Sequence, residues 1–149
     1  MSLDDLYREV ILDHYRNPRN KRPLDGADID LAHNNPLCGD EISVRVKVSD
    51  GSVQEAAFEG QGCSISQASA SMLTDRINGM KLDDVDDLIL KFRGMMAGKE
   101  TPDDDVLGDL VALKGVVKYP VRIKCAVLAW DTLQEGVEDY RKGSGTSPG

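Results

Sequence analysis

The chain has 149 residues, 40% hydrophobic and 30% charged, which fits one globular domain with its own core and excludes a disordered polymer. Its formal charge of −8, much of it in "DDVDD" and "PDDDV", repels nucleic acid and anionic membrane and favours partners with basic docking surfaces. No apolar run approaches the length of a membrane span, and the charged, amphipathic N-terminus is no signal peptide, so the expected location is cytoplasmic.

Residues Leu3 to Asn17 place apolar side chains at Leu3, Leu6, Tyr7, Val10, Ile11 and His14 or Tyr15, the spacing of an amphipathic helix. Ser2 and Asp5 resemble a capping box at its start, and Asn17-Pro18 stops it. After a loop rich in Arg, Asn and Pro, a weakly patterned strand is expected near Ala27 to His33. From Glu41 the chain alternates, with Ile42, Val44, Val46 and Val48 on one face and Ser43, Arg45 and Lys47 on the other, as a half-buried strand does. Asp50-Gly51 turns it into a second strand, Val53 to Glu59, through a tight hairpin.

"EGQGCS" reads as a glycine-rich loop, followed by a Ser- and Ala-rich helix from Ser64 that ends at Asn78-Gly79. Asp83 to Met96 is a further helix, opened by acidic residues that suit a helix N-terminus. "GKETPDDDVLGDL" is an acidic excursion and "VALKGVVKYP" its return. The last helix, from about Val121 to Arg141, carries Ile123, Ala126, Val127, Trp130, Leu133, Val137 and Tyr140 as its buried stripe, and residues 143–149 form a flexible tail. Strands gathered early and helices late imply an α+β fold, a small antiparallel sheet with helices packed mainly on one face. The expected organisation is a single domain, 1–142, followed by the tail.

The three cysteines cannot all pair with one another, and a cytosolic setting keeps thiols reduced. They are core residues, metal ligands or reactive thiols. Cys38 lies in a Pro-containing loop ahead of the strand, and Cys63 stands between Gly62 and a helix start, where the dipole favours thiolate. Cys125 is on the last helix, but at about 100° per residue it projects roughly 130° from the centre of the buried stripe. Asp40 is the fourth candidate. In C-x-D the intervening glycine lets a thiolate and a carboxylate face one point, and three sulfurs with one oxygen would complete a tetrahedral zinc shell. Spacing alone leaves buried cysteines and a metal site as open alternatives. His14 reads as a packed or capping histidine, and His33 as a solvated residue at a strand end. Arg122 and Lys124 flank Cys125 as auxiliary positive charge, which solubilises the helix start and lowers the pKa of a neighbouring thiol.

"LYREVILDHYRNPRN", "NPLCGDEI", "FEGQGCSISQASASML" and "RIKCAVLAW" together resemble the IscU/NifU-type iron-sulfur cluster assembly family across nearly the whole chain. Cys38, Asp40, Cys63 and Cys125 fall on that family's pattern of three cysteines and an aspartate. An insertion at about 98–119, and Lys124 where IscU proteins carry a histidine, resemble the zinc-dependent SufU branch. The resemblance implies a sulfurtransferase that accepts persulfide sulfur from a SufS-type cysteine desulfurase and passes it to the downstream Suf cluster-assembly machinery. It makes Cys38 the sulfur acceptor and catalytic residue, and assigns the metal, Zn2+, to Asp40, Cys63 and Cys125 together with Cys38. The alternative within the same resemblance is a scaffold that binds a nascent iron-sulfur cluster through the same cysteines. A third reading is a structural zinc domain acting as a docking adaptor. The acidic excursion is expected to help select the desulfurase by charge complementarity.

Overall fold

The computed structural model describes residues 3–36, 39–99 and 107–146. In chain order they form helix α1 (Leu3–Arg16), strands β1 (Ile29–Asn35), β2 (Asp40–Ser49) and β3 (Ser52–Gln61), helices α2 (Ser64–Ile77) and α3 (Leu82–Met96), a 3-10 helix (Gly108–Val116) and helix α4 (Pro120–Thr146). This is the α+β architecture expected of the sequence.

The sheet is an antiparallel meander in the order β1-β2-β3. The β2–β3 hairpin closes through Asp50 and Gly51, both at positive φ (53° and 75°), the backbone that a two-residue turn matched to strand twist requires. Alternation along β2 buries Ile42, Val44 and Val46 under α2 and α4, and leaves Ser43, Arg45 and Lys47 on the outer face. There Arg45 bridges Asp30 of β1 and Glu59 of β3. A register shift between Lys47 and Val48 takes Val48 out of the fully buried set.

β1 lies two residues later than its pattern indicates. Only Ile29 and Asn35 of this edge strand are buried, so hydrophobic alternation carries little information. Its register is set by pairing, with Asn35 opposite Asp40 and Ile29 opposite Val46. The other edge is covered by the chain after α1, where the Phe58 N–H donates to the Asn20 carbonyl and the Arg22 N–H to the Phe58 carbonyl.

α2 and α4 pack on the same face of the sheet; α1 lies against α2 and the 3-10 helix, and α3 against α4 and the 3-10 helix. The predicted stripe of α4 supplies the centre of the core. Ala126, Trp130, Leu133 and Val137 are buried, Trp130 stacks on Phe92 of α3 at 4.2 Å, and its indole N–H donates to Ser69 Oγ of α2. α4 continues to Thr146, past the predicted end of the helix and into the stretch read as a tail.

On α1, His14 and not Tyr15 completes the buried face, while Leu6 is about half exposed. The end of the acidic excursion and its return, to which the sequence reading gives no regular structure, bury Leu107, Leu110, Val111, Leu113 and Val116, so the second half of the insertion is built into the core. Residues 100–106, with most of the acidic excursion, lie outside the described residues, as do Leu37 and Cys38. Among the described residues no helix is long and apolar enough to cross a membrane.

Candidate metal centre

Three chain segments converge at one end of the sheet. β2 begins with Asp40, which shares a face with Ile42, Val44 and Val46 because side chains alternate along a strand; Asp40 is therefore directed beneath the helices and is 0% exposed. β3 ends at Gln61, and the next two residues, Gly62 and Cys63, lead into α2. Cys63 is the N-cap of α2: its backbone is extended (φ −70°, ψ 166°), and its sulfur accepts from the Ser66 amide at 3.4 Å. A cysteine at this position receives an amide N–H at the positive end of the helix.

The third segment is the second turn of α4. Cys125 lies off the apolar stripe, yet it is 0% exposed, because that side of the helix covers Asp40 and Cys63 and not solvent. One ligand atom from each of Asp40, Cys63 and Cys125 lies within 4.8 Å of the other two. Among the described residues no other group of three or more His, Cys, Asp or Glu side chains has this geometry. Cys63 Sγ is 3.8 Å from Asp40 Oδ2. In a tetrahedral zinc shell with usual bond lengths the sulfur-to-oxygen edge is about 3.5 Å, so the two donors stand close to the separation that one ion would impose.

The carboxylate is held independently of any ion. Asp40 Oδ1 accepts the Cys63 amide N–H at 2.8 Å, while Ser66 Oγ donates to the Cys63 carbonyl at 3.1 Å. Arg122, exposed at the start of α4, lies beside both thiols: the negative charge of Cys63, and then a hydrogen bond with Cys125, hold its guanidinium above its ordinary value. Lys124 is exposed. Of the residues singled out from sequence, Asp40, Cys63, Cys125 and Arg122 are thus brought together. Cys38 lies outside the described residues, two positions before Asp40 in the chain.

Neither histidine is part of this cluster. His14 is buried between Ser71 of α2, 2.8 Å from Nδ1, and Asp109 of the 3-10 helix, 3.1 Å from Nε2, in agreement with its reading as a packed residue. His33 lies within β1 and not at its end, and pairs with Glu135 of α4.

The NifU-like N terminal domain model matches residues 6–126. This chain belongs to that family. The zinc-dependent sulfurtransferase SufU of Bacillus subtilis (strain 168) is 49% identical over 144 residues, covering 96% of this chain and 97% of its own. The iron-sulfur cluster assembly scaffold protein IscU of Streptococcus pyogenes serotype M1 is 41% identical over 136 residues, 91% of this chain and 85% of its own. Among solved structures, FiSufU of the thermophilic Fervidobacterium islandicum AW-1 superposes with a TM-score of 0.82 at 31% identity, covering 87% of this chain and 94% of that one.

Ser66 escaped the reading of the sequence, and Gly62 was read only as the residue before Cys63. Gly62 is a packing requirement here: a Cβ on it would lie 2.2 Å from Asp40 Oδ1 and 2.7 Å from Ser66 Oγ. Ser66 supplies both an amide and a hydroxyl to Cys63. The G-C-S-x-S pattern at a helix start was the available signal, since the third residue after an N-cap is where a capping amide falls.

Proposed function

We propose that this protein is a zinc-dependent sulfurtransferase that takes persulfide sulfur from a SufS-type cysteine desulfurase for iron-sulfur cluster biogenesis. The observation that carries the proposal is the convergence of Asp40, Cys63 and Cys125 in a chain 49% identical to a zinc-dependent sulfurtransferase.

The donor set fits zinc: two sulfurs and one oxygen, on three different segments, leave one place of four for a further ligand, and Cys38 is the candidate for it. A bound Zn2+ would keep these thiols deprotonated and tie the start of β2 to α2 and α4. Cys38 is the sulfur acceptor. Its thiolate attacks the outer sulfur of the desulfurase persulfide; a new S–S bond forms at Cys38, the persulfide S–S bond breaks, and the electron pair leaves on the desulfurase cysteine as thiolate. No external oxidant or reductant is needed. The downstream Suf cluster-assembly machinery then receives the sulfur. Arg122, beside Cys63 and Cys125, offsets the negative charge gathered at the site.

A second reading is favoured by the 41% identity to an IscU scaffold: the same cysteines hold a nascent iron-sulfur cluster as cargo. The discriminating experiment is multiple-turnover alanine and sulfide production by a SufS-type desulfurase, with zinc-loaded protein, metal-free protein and zinc-loaded Cys38→Ser under one reductant. Strong acceleration by the zinc-loaded wild type alone is expected. Binding of the desulfurase without acceleration would transfer the assignment to the scaffold.

A further inference from the structure

We infer that Gly62 and the backbone amide of Cys63 are positioning groups for Asp40, making it a one-oxygen donor whose second oxygen faces the thiols. The inference rests on the metal-site reading above and adds how the oxygen donor of that site is set.

Asp40 is fully buried, and a carboxylate in that position requires partners for both oxygens. Oδ1 has one in the Cys63 N–H at 2.8 Å. Oδ2 faces the sulfurs and accepts from the Cys63 thiol at 3.8 Å, the contact that an ion shared by the two would replace. A carboxylate free to rotate can present two oxygens to a cation; with Oδ1 taken by an amide, only Oδ2 remains available, which suits a compact four-coordinate shell.

The amide bond is reached only because residue 62 has no side chain. A Cβ there would lie 2.2 Å from Asp40 Oδ1, 2.9 Å from Asp40 Cγ and 2.7 Å from Ser66 Oγ. All three are far inside van der Waals contact, and two belong to the carboxylate itself. The carboxylate cannot yield at small cost, because Asp40 is buried at the start of a paired strand; the Ser66 hydroxyl, held by one hydrogen bond to the Cys63 carbonyl, yields by turning about its own side-chain torsion. The strand residue, the glycine and the helix cap thus form one unit, in which the amide that holds Asp40 belongs to the same residue that offers a sulfur. Outer partners that orient metal ligands typically change affinity 10- to 100-fold when lost.

The test is a cycle of four proteins: wild type, Gly62→Ala, Asp40→Ala, and the double variant Gly62→Ala/Asp40→Ala. Co2+ is titrated into each metal-free protein, and affinity is read from the thiolate charge-transfer absorption. Gly62→Ala is expected to weaken Co2+ at least about tenfold when Asp40 is present and by less than about twofold in the Asp40→Ala background. The same loss in both backgrounds would overturn the inference while leaving the metal site standing. No charge-transfer band in the wild type would overturn the metal-site reading itself, and this inference with it. A second readout needs no metal: thermal unfolding of the four metal-free proteins. Alanine at 62 is expected to lower the midpoint in both backgrounds, because residue 62 has a positive φ (158°) and Ser66 Oγ lies close by, and to lower it further when the Asp40 carboxylate is present. Equal costs in the two backgrounds would contradict the clash with the carboxylate. Should Gly62→Ala fail to fold, recovery of folding in the double variant supports the inference, and failure of both refutes it.

Discussion

Replacing His14 with alanine tests how the insertion is attached to the rest of the fold. The imidazole is 1% exposed, and with the proton on Nε2 it satisfies both neighbours: Ser71 Oγ–H donates to Nδ1, and Nε2–H donates to Asp109 Oδ2. Ser71 Oγ in turn accepts the Arg19 amide at 2.8 Å, so one hydroxyl joins α2 to the end of α1 and the loop after it. The buried hydrogen bond to Ser71 is worth about 1 kcal/mol, and the space left by the ring adds about 1–2 kcal/mol. The Asp109 side chain is 63% exposed, so its pairing with His14 contributes at most about 1 kcal/mol, and its carboxylate returns to water at little cost. His14→Ala should therefore lose about 3 kcal/mol and Asp109→Ala less than about 1 kcal/mol. In urea unfolding, with a slope of about 2 kcal/mol/M for a chain of this size, the midpoints should fall by about 1.5 M and less than about 0.5 M respectively. If Asp109→Ala were as damaging as His14→Ala, the insertion would be held by the charged contact and not by the packing of Leu107, Leu110, Leu113 and Val116, and the reasoning would fail.

Gly136 of α4 sets helix propensity against space. Alanine would gain about 1 kcal/mol in propensity. The added methyl would meet Ile29 Cγ2 of β1 at 2.5 Å, an overpacking that costs about 1–3 kcal/mol. Gly136→Ala should therefore lower the thermal midpoint, and a rise would show that α4 lies farther from β1 than described. Asp13, paired with Arg19 at 2.7 Å, is held below its ordinary value of 3.8, first by the hydrogen bond from Arg19 and then by its charge. A depressed carboxyl contributes stability at neutral pH and loses it as pH falls through its folded value, so this contribution is fully present above pH 3.8 and is lost only at lower pH. Arg19→Ala should raise the Asp13 titration midpoint seen by NMR; an unchanged midpoint would remove Arg19 as the cause.

The elements with strong local signals were legible. Asp50-Gly51 could only be a tight turn, the alternation of Ile42, Val44 and Val46 placed β2, and the Ala126, Trp130, Leu133, Val137 stripe placed α4. β1 was misplaced because an edge strand with two buried residues has little pattern to read, and its position depends on β2. The 3-10 helix was missed for a related reason. Val111 to Val116 read only as the return from the acidic excursion, since nothing local shows that α1, α2, α3 and α4 leave a space for these side chains. The site divides along the same line. Cys63 announced its place at a helix start, and Cys125 announced itself by standing off the apolar stripe. Gly62 could not, because what forbids a side chain there is a carboxylate 22 residues earlier in the chain.

The central claim is that Cys38 receives sulfur beside a centre formed by Asp40, Cys63 and Cys125. The most direct measurement is a single turnover of a SufS-type desulfurase loaded with persulfide and mixed with the zinc-loaded protein, followed by alkylation, proteolysis and mass mapping of the three cysteine peptides. The account predicts a mass gain of one sulfur atom on the peptide that carries Cys38, and its loss in Cys38→Ser. Sulfur on Cys63 or Cys125, or on none of the three while the desulfurase remains charged, would contradict it.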